Sequence, residues 1–197
     1  MVVRVQPALL GLALLAGGSP WSARGQAGPN PTTVYLAHEG NRWCSYRDEA
    51  SWRDAVANAH ASEVGEIAFA PGLKPSRIEV TTEAESGDWI VYDRYRVGAD
   101  GEPSSLTREV HIAQGDIRIR EEYALANGTA TRTLQVRVGR DGKVMPGRLP
   151  HDLPQLPIAR TLKNFPFEAL LVDRSIIGSP KNCVPDTTRD GDKSSER

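Results

Sequence analysis

The stretch WIVYDRYRVGADGEPSSLTREVHIAQGDIRIREEYALANGTATRTLQVRV, residues 89–138, decides the fold, because it reads as β-strands separated by short turns. Apolar and polar residues alternate within each strand, a pattern typical of strands with one buried face. The predicted strands, including one just upstream, are 77–84, 89–97, 106–112, 117–125 and 130–138. Turn residues separate them, and short turns make consecutive strands antiparallel. We therefore expect an antiparallel meander.

One charged residue in each of four neighbouring strands falls on the face that carries the apolar side chains. These residues are Asp93, Arg108, Glu121 and Arg132. Symmetric closure of the turns sets Asp93 opposite Arg108 and Arg108 opposite Glu121, with Arg132 opposite or diagonal to Glu121. The row therefore alternates in sign across the sheet.

A buried face normally excludes charge, so the row has two interpretations. It is a structural ladder that fixes the register, or it is the floor of a binding site. In the second case Trp89, Tyr95 and Tyr123 supply apolar walls, and Arg108 and Arg132 hold an anionic head group. The continuous alternation of sign favours the structural interpretation.

The rest of the chain completes an α+β fold. We expect a curved antiparallel β-meander of about six strands, one N-terminal helix packed on it and a proline-rich C-terminal cover. An apolar stripe at helical spacing predicts the helix over 48–61, and four prolines predict a cover over 146–157. Short strands are expected over 34–37 and 66–70 before the meander and near Val144 at its end. A short helix over 157–162 and a final strand over 167–172 follow.

The N-terminus has the pattern of a secretory signal peptide. Arg4 precedes an apolar run over 8–16, and small residues precede a cleavage site near Ala27. We expect residues 1–27 to be removed and the chain to be exported, to the periplasm or beyond. Residues 28–184 then form a single exported domain, and the charged, polar residues 185–197 form a disordered tail.

Two cysteines, Cys44 and Cys183, are present. An even number in an exported chain predicts a disulfide, which ties the segment before the meander to the C-terminal segment. The alternative is a pair of free thiols, or Cys44 as a nucleophile, but no motif of that kind surrounds it.

Motifs for catalysis or cofactors are missing from the sequence. The four histidines have no metal-ligand spacing, and neither a nucleophile elbow nor a phosphate-binding glycine loop occurs. We therefore predict no catalytic residue, metal or cofactor. The net charge of −1 predicts no nucleic-acid partner, and we predict no transmembrane segment after cleavage.

These observations favour a non-catalytic exported binding protein. Its partner is an amphipathic or anionic small ligand over the sheet face. The alternative is a structural or partner-protein-binding protein of the cell envelope. A hydrolase that uses Glu121 or His111 is a less favoured third hypothesis, because no motif supports it.

Overall fold

A ten-stranded antiparallel sheet organises the described part of the chain. The computed structural model describes residues 32–72, 74–150, 153–173, 176 and 179–186. The strands are β1 Thr32–Glu39, β2 Arg42–Tyr46, β3 Glu63–Ala70, β4 Lys74–Glu83, β5 Trp89–Val97, β6 Pro103–Ile112, β7 Ile117–Ala126, β8 Thr129–Val138, β9 Val144–Met145 and β10 Lys181–Pro185. Their spatial order is β10-β2-β1-β3-β4-β5-β6-β7-β8-β9.

The prediction of a mainly antiparallel sheet with one main helix is confirmed, but the prediction of about six strands is wrong. Strands β2 and β10 were missed, and they pair with each other at one end of the sheet. In β2 four consecutive residues are buried, so both faces are covered and polar and apolar residues do not alternate; β10 shows no such alternation either.

The predicted strand over 167–172 is a short helix, α2, Glu168–Val172. Leu170 and Leu171 are both buried whereas Val172 is exposed. Neighbouring residues of a strand point to opposite faces, so burial of two consecutive leucines fits a helix instead. The predicted helix over 157–162 is replaced by a 3₁₀ turn at Leu162–Asn164.

Helix α1, Glu49–Ala59, lies against β1 and β2. Asp48 caps it, because its side chain accepts a hydrogen bond from the Ser51 backbone N–H at 2.8 Å. The Trp52 indole N–H donates to the Leu36 carbonyl at 2.8 Å, and its ring stacks on Tyr35. The helix is therefore held to β1 by a hydrogen bond as well as by apolar contact.

The C-terminal segment 153–173 is named the strap. It covers the face of the sheet opposite α1, which is named the inner face. The main core lies between the two. Its buried members are Val34, Leu36, Trp43, Ile67, Phe69, Ile78, Tyr95, Leu106, Leu125, Ala159, Phe165, Phe167, Leu170, Leu171 and Ile176. A second cluster, around Val91, Val110 and Ile119, packs beneath Leu149, Leu153 and Leu156. The strap therefore completes the burial that the inner face needs.

The predicted register of the central strands is confirmed. Asp93 lies opposite Arg108, and Arg108 lies opposite Glu121. In β8 the register shifts by one residue, which sets Gln135 opposite Glu121 and Arg132 opposite Tyr123. Such a bulge reverses the alternation beyond it.

Because of this bulge, the apolar residues of β8 do not lie where alternation predicts them. Leu134, Val136 and Val138 pair with Glu122, Arg120 and Arg118, which occupy the face opposite the strap, named the outer face. Alternation within the predicted strand over 130–138 places these three residues on the buried face, and that prediction is wrong.

Cys44 and Cys183 lie directly opposite each other in β2 and β10, with their Cα atoms 4.0 Å apart and their sulfur atoms bonded. The pairing predicted from the sequence is thus compatible with the structure. The pair packs with Tyr46 and with the apolar side of α1. It fastens the end of the chain that follows the strap to the edge of the sheet.

The predicted signal peptide, 1–27, lies outside the described residues. Of the predicted tail over 185–197, Pro185 ends β10 and Asp186 is buried, while 187–197 lie outside the described residues. The helices in the described part of the chain are all too short or too polar to span a bilayer.

We expect loss of the disulfide to destabilise the fold. Replacing both Cys44 and Cys183 by serine should lower the free energy of unfolding by about 4 kcal/mol, because the cross-link closes a long loop. Urea titration of the double variant beside the wild type measures this difference. Mass spectrometry of the non-reduced wild type supplies the control, since a mass equal to that of the reduced protein would contradict the bond.

Candidate functional site

The centre of the inner face carries a buried ion pair between Asp93 of β5 and Arg108 of β6. The Arg108 Nε and Nη2 atoms donate to the two carboxylate oxygens of Asp93, both at 2.7 Å. This two-point geometry is the strongest form of an arginine–carboxylate interaction. Burial raises the pKa of the Asp93 carboxyl, and the hydrogen bonds and charge of Arg108 oppose that shift.

Arg108 also binds the strap. Its Nη1 donates to the carbonyl oxygen of Leu156 at 3.0 Å, and its Nη2 donates to that of Pro157 at 3.3 Å. A proline-containing segment offers few backbone donors for strand pairing, so its carbonyl groups need other partners. The guanidinium therefore joins β5, β6 and the strap at a single point.

Glu121 and Arg132, the other two residues of the predicted row, belong to a second hydrogen-bonded group. The Glu121 carboxylate accepts hydrogen bonds from Tyr123 at 2.9 Å, Gln135 at 2.7 Å and Arg132 at 3.3 Å. Burial is the main cause that raises the pKa of the Tyr123 hydroxyl, and the hydrogen bond to Glu121 raises it further. The Arg132 side chain is half exposed. These contacts satisfy Glu121 on β7 and β8 without a ligand.

A cavity of about 520 Å³ lies between the inner face and the strap, beside the Asp93–Arg108 pair. This volume lies within the range of small-molecule sites. The lining residues come from the sheet and from the strap: Trp43, Glu63, Val80, Thr82, Asp93, Tyr95, Leu156, Pro157, Ile158, Ala159, Arg160, Asn164, Phe165, Pro166 and Phe167.

Aromatic side chains form a continuous series along this cavity. Tyr95 packs edge-on against Phe165 with ring centres 4.9 Å apart, Phe165 lies 5.3 Å from Phe167, and Phe167 lies 4.8 Å from Trp43. The Tyr95 hydroxyl accepts a hydrogen bond from the Ala159 backbone N–H at 3.1 Å. The strap is thus attached at Tyr95 as well as at Arg108, and both attachments border the cavity.

A polar cluster lies behind the Trp43 end of the cavity. His38 is buried, with its Nε2 3.1 Å from Asp186 Oδ2 and its Nδ1 3.6 Å from Glu63 Oε2. Its ring centre is 5.1 Å from that of Trp43. The approach to Asp186 has the distance of an ion pair, but its angles are not those of a hydrogen bond. The Trp43 indole N–H is buried with no hydrogen-bond partner among the described residues.

The structure distributes the sequence-predicted site residues among three places. Asp93 and Tyr95 line the cavity, and Arg108 lies behind Asp93. Tyr123 lies in the Glu121 group with Arg132. Trp89 packs in the separate apolar cluster with Val91. The seven residues therefore do not form one site.

Sequence reasoning missed most of the cavity lining, including Trp43, Glu63 and the Phe165–Phe167 segment. Phe167 is assigned to a predicted strand over 167–172, and Trp43 is assigned to no predicted element. Neighbouring residues of a strand point to opposite faces, so a strand containing Cys44 would have placed Trp43 on the face opposite the disulfide. The contact between a distant strap and the sheet had no signal in local periodicity.

Within the described residues, no group of three or more histidine, cysteine, aspartate or glutamate side chains is arranged to hold a metal ion. No family model, curated protein or solved structure matches this chain in the three comparisons.

Replacing Arg108 by methionine should destabilise the protein by about 3–5 kcal/mol, because it leaves the Asp93 carboxylate buried and unpaired and frees two strap carbonyl groups. Arg132→Met is the matched control, since its half-exposed side chain is worth at most about 1 kcal/mol. Urea unfolding of both variants measures the difference. Equal, small losses for the two variants would show that Arg108 does not hold the fold together.

Proposed function

We propose that this chain is an exported, non-catalytic binding protein that holds an amphipathic small molecule between the inner face and the strap. The observation that carries this proposal is the 520 Å³ cavity bordered by four aromatic rings and a few polar groups. A mostly apolar lining with a few convergent polar groups is typical of ligand sites. Export is supported by the N-terminal pattern and by the cysteine pair.

An anionic ligand head group has less support. Arg108 directs its hydrogen bonds to Asp93 and to two strap carbonyl groups, and Arg132 belongs to the Glu121 group. Two carboxylates, Glu63 and Asp93, line the cavity. We therefore retain the prediction of an amphipathic ligand and not that of an anionic one.

A hydrolase based on Glu121 or His111 finds no support in their arrangement. Glu121 lies on the inner face and is satisfied by three hydrogen-bond donors. His111 lies on the outer face, where its ring packs edge-on against Tyr92 at 4.9 Å. Neither residue lines the cavity between the inner face and the strap, and their positions on opposite faces prevent the two from acting on one substrate atom.

The alternative of a partner-protein-binding protein rests on a different part of the molecule. Strand β9 ends the sheet with Val144 and Met145, and 67% of the Val144 surface is exposed. Leu134 of β8 is also exposed. Exposed apolar residues beside a free strand edge are typical of contacts with another chain.

A cavity-filling substitution distinguishes ligand binding from the alternative. Val80→Phe should place a larger side chain in the cavity and reduce binding of the neutral fluorescent probe N-phenyl-1-naphthylamine by about tenfold, equivalent to about 1.4 kcal/mol. Fluorescence titration measures the affinity.

Thr81→Phe is the matched control, because Thr81 adjoins Val80 in β4 but lies on the outer face. Urea unfolding of both variants checks that the fold survives. Equal affinities for wild type, Val80→Phe and Thr81→Phe would contradict binding in this cavity, and absence of binding by the wild type would favour the partner-protein alternative.

A further inference from the structure

Glu63 is the acidic residue of the cavity that has no arginine or lysine partner among the described residues. It is the first residue of β3 and lies opposite Thr82 of β4, so its side chain belongs to the inner face. About one third (32%) of that side chain is exposed, and the residue lines the cavity. Its carboxylate lies 3.6 Å from His38 Nδ1.

The other carboxylate of the cavity is already neutralised. Both oxygens of Asp93 accept hydrogen bonds from Arg108, so the pair presents little net charge to a ligand. The cationic lining residue Arg160 is exposed, where water screens its charge. Outside the Asp93–Arg108 pair, Glu63 is therefore less exposed than the cationic lining residue Arg160, and its charge is less screened.

His38 does not remove this negative charge. It lies between Glu63 and Asp186, at 3.6 Å and 3.1 Å. When His38 is neutral, it does not compensate Glu63. When it is protonated, its closer approach is to Asp186, so Glu63 receives the weaker part of its positive charge.

The aromatic series supplies the apolar part of the cavity wall. Trp43, Tyr95, Phe165 and Phe167 all line the cavity, and each is 2% exposed or less. A carboxylate beside an apolar wall favours an amphipathic molecule with an ammonium-type head group, which gains a direct ion pair with Glu63. An anionic head group would be repelled by the same carboxylate.

We infer that the amphipathic ligand carries a basic or quaternary ammonium head group, and that Glu63 binds this group while the strap and β4 cover the apolar part. The inference rests on the proposed function, since it names the ligand class of the same cavity.

The test compares three octyl amphiphiles that differ only in head group: octyltrimethylammonium, octyl glucoside and octyl sulfate, each below its micelle concentration. Isothermal titration calorimetry with the full exported chain measures their affinities. We expect the ammonium compound to bind about tenfold more tightly than the glucoside, because an interaction with a charged group is worth about 1.5–3 kcal/mol. Octyl sulfate should bind most weakly.

Glu63→Gln should abolish the preference for the ammonium compound and leave the glucoside affinity within about twofold of wild type, because only the charge is removed. Glu66→Gln is the matched control: it lies on the same strand but opposite Tyr35 and Glu79 on the other face. The control should keep the preference.

If Glu63→Gln fails to fold, salt titration of the wild type replaces it, since added salt should weaken binding of the ammonium compound but not of the glucoside.

Two kinds of failure are distinguishable. Equal affinities for the three compounds, a preference for octyl sulfate, or an ammonium preference that survives both Glu63→Gln and added salt would overturn the assignment of a cationic head group and leave the cavity as a binding site. Absence of binding by all three compounds would overturn the proposed function and the inference with it.

Discussion

The contact of Arg108 with Asp93 and with the strap is the interaction on which the rest of this structure depends. A single guanidinium joins two central strands to the carbonyl groups of Leu156 and Pro157. Burying two charges costs desolvation energy, which is offset only when the charged groups are fully hydrogen-bonded. The Arg108 guanidinium donates four hydrogen bonds here, two to Asp93 and two to the strap. The strap cannot pair as a strand where it is rich in proline, so this arginine substitutes for a backbone ladder.

The cavity is a consequence of how the strap is attached. It is held over β5 and β6 by Arg108 and Tyr95, and its C-terminal end is fastened to the far edge of the sheet through β10 and the Cys44–Cys183 pair. Between these two attachments the strap crosses β3 and β4 without pairing with them, and the space beneath it is bordered by Val80, Thr82 and Glu63. A ligand site at this place needs no special loop, only a cover fixed at both ends.

The charged row illustrates how a correct local deduction leads to an incomplete site. Antiparallel pairing and turn lengths were sufficient to place Asp93 opposite Arg108 and Arg108 opposite Glu121, because register errors would have exposed the apolar face or opposed like charges. The continuation to Arg132 is also confirmed: the bulge in β8 sets Arg132 opposite Tyr123 and diagonal to Glu121, which it contacts at 3.3 Å. Hydrogen bonding nevertheless divides the row into two groups, Asp93 with Arg108 and Glu121 with Arg132, and the first of them borders the cavity.

The sequence by itself determined the antiparallel meander, its register through β7, the main helix and the pairing of the two cysteines, since these depend on alternation, turn chemistry and residue type. Only the tertiary structure decided that Trp43, Glu63, Phe165 and Phe167 meet around one cavity. Those residues are brought together from β2, β3 and the strap, over separations at which local periodicity carries no information. Their meeting is set by where the strap packs, and that is decided by the burial of the inner face and by Arg108.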